Sequence, residues 1–168
     1  MAINKKKKKT IISKITKVNN VAISAVISDI TGVSVNNITK LRKEAKKVGV
    51  VVYSVRNSLL KRSVNGTIFQ CLENQLNGPT LIAYSLEHPG SAARLLDKFQ
   101  NKDIKLKIKG AVFKNKMLLP NEIKSLIEMP TYNEAISKIM SILQEISIGK
   151  LFKTVIAIYN KKKDSIKK

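Results

Sequence analysis

Thr131 and Glu134 stand three residues apart, the spacing at which a threonine hydroxyl and a glutamate carboxylate cap one helix start reciprocally. From Tyr132 to about residue 160 the chain then holds no proline and one glycine, Gly149. A helix of that span is about 43 Å long at 1.5 Å per residue, longer than a small domain is wide, so much of it is expected to project. Ile136, Ile139, Met140, Leu143 and Ile146 form one apolar stripe on it, and Leu151, Phe152, Val155, Ile156 and Tyr159 form another beyond Gly149. Ile142, Ile148 and Ile158 widen both. Burying such a side chain is worth about 1.5–3 kcal/mol, so ten left in water forgo about 15–30 kcal/mol, at or above a domain's net stability of about 5–15 kcal/mol. Something is expected to cover them: the chain's own sheet, if the helix folds back, or another polypeptide docking on two consecutive platforms either side of Gly149. A membrane surface is the competing cover, and with it the alternative that this is a peripheral membrane-surface protein. Against that alternative, Lys138, Lys150 and Lys153 are few and are mixed with Glu134 and Glu145.

The remainder of the 168 residues suffices for one globular unit. Basic residues number 32 against 11 acidic ones, a net charge of +21, which points to a polyanionic partner, nucleic acid before anionic membrane. Lysine, isoleucine and asparagine are all abundant, a skew that an AT-rich coding sequence also produces, so placement carries more weight than the total. Placement favours the N-terminus, where "MAINKKKKKTIISKITK" carries seven lysines and the first carboxylate comes only at Asp29. No secretory leader and no apolar run near the ~20 residues of a membrane span are present, so a cytoplasmic location is expected. The single Cys71, in the helix-like "IFQCLENQL", reads as a buried, reduced thiol.

The first apolar run, "VAISAVI" at residues 21 to 27, reads as a buried strand. A helix follows, with Ser34 as its N-cap, Ile38, Leu41, Ala45 and Val48 on one face, and Gly49 as its left-handed stop. "VVVYSV" is a second strand, "SLLKRSV" a short helix, residues 68 to 77 another helix, "TLIAYS" a strand, "SAARLLDKFQ" a helix, and "IKLKIK" at 104 to 109 the last strand. In that last strand Ile104, Leu106 and Ile108 alternate with Lys105, Lys107 and Lys109, predicting one buried and one wet face. The order and the half-exposed strand predict an α+β fold: a two-layer split βαβ, ferredoxin-like sandwich with extra helices, plus the long projecting C-terminal α-helix. A doubly wound parallel sheet is the alternative. The expected division is 1–130 as the globular unit, 131–160 as the helix and 161–168 as a basic tail.

In "SVRNSLLKR" a strand ends as a helix begins. Asn57 reads as the N-cap of that helix, and Arg56, Lys61 and Arg62 are expected beside its first N–H groups, a favourable phosphate-binding geometry. Lys7, Lys8, Lys14 and Arg42 extend the basic surface, and Lys5 and Lys6 either join it or form a merely solvated charge run. The chemistry of an enzyme is missing. The one histidine, His88 beside Glu87 in the turn "EHPG", reads as a turn or capping residue, and no nucleophile elbow, P-loop or dinucleotide fingerprint occurs. One cysteine and one histidine cannot build a zinc site, so neither catalytic residue, metal nor cofactor is expected.

The strings "GVSVNNITKLRKEAKKVGV", "VRNSLLKRSV", "GPTLIAYSLEHPGSAARLL", "LPTYNEAISKIMSIL" and "GKLFKTV" closely resemble the bacterial ribosomal stalk-base family, conventionally "L-ten", and the likeness runs nearly end to end. The resemblance implies a structural constituent of the large ribosomal subunit. Its N-terminal domain would bind large-subunit rRNA in the GTPase-associated region, beside the protein "L-eleven". Its C-terminal helix would carry dimers of the acidic stalk protein "L-seven/L-twelve", which recruit translational GTPases. Repression of its own messenger is also known in the family. One departure is that the family commonly has a basic residue before the Gly of "GVSV", where this chain has Thr31.

Overall fold

The computed structural model describes residues 4–100 and 106–166. It divides into two compact units, the first ending at Met129 and the second beginning at Pro130. The first is built on one five-stranded sheet of β1 (Ser24–Asp29), β2 (Val50–Ser54), β3 (Thr80–Ser85), β4 (Lys107–Phe113) and β5 (Lys116–Leu118). The strand order is β2-β3-β1-β4-β5, with every neighbouring pair antiparallel. Helix α2 (Val35–Lys47) lies between β1 and β2 in the chain, and α4 (Ser91–Gln100) between β3 and β4. Each crossover skips one strand position, filled by β3 in the first case and β1 in the second. This is the split βαβ arrangement, and the α+β class follows from it. The parallel alternative is excluded by the pairing.

Two apolar cores flank the sheet, because strand residues alternate sides. Val26, Leu81, Ala83 and Ala111 meet Leu41 and Ala45 of α2, Leu96 and Phe99 of α4, and Ile123 and Leu126 of α5 (Ile123–Glu128). Ala25, Ile27, Ile82, Tyr84 and Val112 point the other way, onto Ile15 of α1 (Lys5–Val21) and onto Leu60 and Val64 of α3 (Asn57–Val64). Phe69, Leu72 and Leu76, in and around a 3₁₀ segment at Gln70–Gln75, complete that core. The extra helices thus form a layer of their own. The wet sheet face expected from "IKLKIK" is not found, since β1 and β3 are buried on both sides.

A bulge explains the last strand. Ile27 pairs with Gly110 but Ser28 with Ile108, leaving Lys109 as an extra residue on β4. A bulge resets alternation and re-aims a side chain. Here it brings Lys109 Nζ to 3.1 Å from Asp29 Oδ2 and 2.6 Å from the Asn77 carbonyl. Ile104 and Lys105 lie outside the described residues.

Other local expectations divide. Ser34 caps α2 by accepting from Asn37 N–H, and Gly49 stops it at φ +67°. His88 is a turn residue, its Nδ1 accepting from Gly90 N–H at 3.1 Å. The first strand starts at Ser24 rather than Val21, because α1 runs to Val21. Cys71 is exposed, not buried; in the 3₁₀ segment the inward position falls to its neighbour Leu72.

The second unit is helical throughout. α6 (Tyr132–Gln144) opens with the expected capping box: Thr131 Oγ1 accepts from Glu134 N–H and Glu134 Oε2 accepts from Thr131 N–H at 3.0 Å. A π-helical turn at Glu145–Gly149 leads into α7 (Lys150–Ile166).

Candidate nucleic-acid interface and the uncovered helix

α1 begins with Lys5 to Lys9, all exposed, and Lys14 is exposed further along. Ile15 and Asn19 turn inward on its other side. Asn19 Nδ2 donates to the Ser63 carbonyl at 3.0 Å, a buried bond that ties α1 to α3. Lys7, Lys8 and Lys14 therefore stand on the same layer as α3, which carries the exposed Arg62 and the half-buried Lys61. Arg42 is exposed on α2, which packs on the opposite face of the sheet, so the structure does not group it with the others.

The turn from β2 into α3 differs from expectation. The cap position of α3 is Arg56, not Asn57, and no side chain caps it. Asn57 Nδ2 instead donates to the carbonyls of Leu76 at 3.0 Å and Gly78 at 2.8 Å. Asn57 is thus a clamp that holds the loop before β3 against the start of α3. Lys61 and Arg62 lie in the last turn of this eight-residue helix, where their charges complement its C-terminal dipole. Only Arg56 adjoins the helix N-terminus.

That clamp shapes an open groove of about 460 Å³, lined by Ile30, Ser54, Val55, Arg56, Asn57, Gly78, Pro79 and Thr80. Arg56 is its one cationic side chain. At the neighbouring end of β1, Asp29 Oδ1 accepts from the Thr31 hydroxyl at 2.5 Å and from the Thr31 N–H at 3.0 Å. The Thr31 hydroxyl, then its N–H, then Lys109 hold the Asp29 carboxyl at about 2, below its ordinary 3.8. Thr31, where the resembled family commonly carries a cation, thus fixes the loop after β1. Sequence reasoning did not find the groove, although the Gly78-Pro79 turn signal was visible. It also passed over exposed Lys40, Lys43, Lys46 and Lys47 of α2.

On the second unit the residues Ile136, Ile139, Met140, Leu143 and Ile146 are 39–58% exposed, and Leu151, Phe152, Val155, Ile156 and Tyr159 are 47–69% exposed. Within the second unit itself neither stripe is buried. Among the described residues no cluster of metal-ligating side chains occurs and no helix is long and apolar enough to cross a membrane.

A twofold-covered sheet with lysine-rich helices, together with a helix whose apolar side is exposed, has the features of an assembly component. Comparison with known proteins places that class more narrowly. The family model for ribosomal protein L10 matches residues 3–101. The chain is 49% identical over 165 residues to large ribosomal subunit protein uL10 of Buchnera aphidicola subsp. Schizaphis graminum, covering 98% of this chain and 100% of that one. It is 43% identical over 162 residues to the uL10 proteins of Cronobacter sakazakii and Erwinia tasmaniensis, covering 96% of this chain and 98% and 97% of theirs. The chain belongs to the ribosomal protein L10 family, and is a large-subunit, ribosome-associated structural protein without enzymatic activity.

Proposed function

We propose that this protein forms the base of the ribosomal stalk. In this reading the first unit binds large-subunit rRNA in the GTPase-associated region next to "L-eleven". The helix carries dimers of the acidic stalk protein "L-seven/L-twelve", through which GTP-bound translation factors are recruited. The observation that carries the reading is the exposure of all ten stripe residues on a helix that buries none of its α6 side chains. That much open apolar area on one helix marks a protein interaction site. Complementarity of charge supports an acidic occupant, given +21 on this chain.

On the RNA side, Lys7, Lys8 and Lys14 with Lys61 and Arg62 supply phosphate contacts from one layer, and Arg56 supplies one at the groove held open by Asn57. Arg42 would serve a separate contact on the other face. Removal of residues 150–168 tests the division of labour. Native mass spectrometry with the acidic stalk protein should show fewer bound dimers, while affinity for an rRNA fragment stays within about twofold. An unchanged dimer count would contradict the role of the second stripe.

A further inference from the structure

The π-helical turn at Glu145–Gly149 falls between the two apolar stripes, and its geometry decides whether they face the same way. At about 100° per residue, an uninterrupted α-helix would set the midlines of the Ile136–Ile146 and Leu151–Tyr159 stripes about 150° apart, on nearly opposite sides. A π-turn closes i→i+5 hydrogen bonds and so takes up one additional residue. Everything after it is turned back by about 100°, which leaves the two midlines about 50° apart. That separation fits within the ≳100° apolar face of an ordinary amphipathic helix.

An ion pair reports the same rotation. Lys153 Nζ lies 3.8 Å from Glu145 Oε1, a pairing eight residues apart. In a regular α-helix those positions differ by about 80° around the axis; with one residue absorbed between them they differ by about 20°.

We infer that the π-turn merges the two stripes into one continuous docking face, so that successive acidic, helical partners sit side by side and touch each other. The inference rests on the stalk reading for the identity of its occupant. The charge argument is global: the chain carries +21, and the sequence from 161 onward is "KKKDSIKK". Partners that touch bind cooperatively, whereas partners on opposite sides of a rod bind independently.

Two measurements test it. In a Cys71→Ser background, spin labels at Leu143→Cys and Tyr159→Cys should lie about 25 Å apart when the stripes are aligned and about 30 Å apart in a regular α-helix. Binding of the purified acidic stalk protein is then followed by calorimetry and native mass spectrometry on the full chain and two variants. Deleting Ser147 shortens the turn by one residue, so a regular helix keeps the stripes aligned and the second binding step should stay within about twofold. Inserting one alanine after Gly149 turns the second stripe away by about 100°, and the second step should weaken at least tenfold while the first is kept. A distance near 30 Å, or an insertion variant that binds its second dimer as tightly as the native chain, overturns the inference. A native chain that binds no acidic dimer would overturn the stalk reading, and the label distance would still decide the geometry.

Discussion

Replacing Asn57 by aspartate separates two accounts of the turn that presents Arg56. If Asn57 capped α3, aspartate and serine would serve as well as asparagine, since all three side chains accept from the first-turn N–H groups. In the structure Asn57 acts as a donor, with Nδ2 giving its two hydrogens to the carbonyls of Leu76 and Gly78 at 3.0 and 2.8 Å. Each such bond contributes about 1 kcal/mol net, so Asn57→Ala is expected to lose about 1–2 kcal/mol. For a unit of this size that is a fall of about 4–8 °C in melting temperature. A carboxylate cannot donate and would sit against two carbonyl oxygens, so Asn57→Asp should lose about 2–3 kcal/mol, more than alanine. Thermal and urea unfolding of the full chain, followed by far-ultraviolet circular dichroism, gives the ranking directly. Aspartate at or above the stability of the native chain would refute the clamp. The same three proteins should rank in the same order in affinity for an rRNA fragment, because the clamp shapes the groove that Arg56 lines.

Arg56→Glu with Lys61→Glu should weaken rRNA-fragment binding at least tenfold and flatten its salt dependence, with dimer binding unchanged by native mass spectrometry; equal affinity would remove both from the interface. Asp29 is held at about 2 against an ordinary 3.8, so its folded-state advantage is fully present above about pH 4 and is lost as pH falls through 2. The margin between the native chain and Asp29→Asn should therefore be about 1–2 kcal/mol at neutral pH, after allowance for partial exposure, and should close in that acid window in urea titrations. Thr31→Ala removes the largest cause of that depression and should raise the Asp29 pKa in a carboxyl NMR titration. Arg94 Nε and Nη2 donate to the carbonyls of Ile127 and Met129, both at 2.8 Å, so Arg94→Ala should speed amide exchange at the end of α5 without altering dimer number.

Much of the sheet was legible because its signals are local. Gly49 marks a helix end whatever surrounds it, and "TLIAYS" is apolar enough to be a strand on either face. The second covering layer was not legible. Ile11, Ile15 and Val18 have helical spacing, yet they are embedded among seven lysines, which mask the apolar periodicity. The wet face predicted from "IKLKIK" failed for a non-local reason. Leu106 and Ile108 do share one core and Lys107 is exposed, but the rest of that sheet face is covered by α1, α3 and the 3₁₀ segment, which alternation in a single strand does not report. Asn57 illustrates the same limit at one residue, since its fate was set by carbonyls 19 and 21 positions away.

The uncovered helix was the most legible part of the chain, and its interruption is written in the pattern too. Within each stripe apolar residues recur at steps of three and four, but from Ile146 to Leu151 the step is five. A five-residue step is what a turn closing i→i+5 bonds absorbs. An α-helix that kept its regular winding would carry the error forward and rotate the second stripe out of line. Gly149 sits at the end of that turn, where it packs no large side chain and lowers helix propensity by about 1 kcal/mol, so the local departure from α-geometry costs least there. The glycine that looked like a divider between two platforms is, on this argument, the residue that lets them share a side.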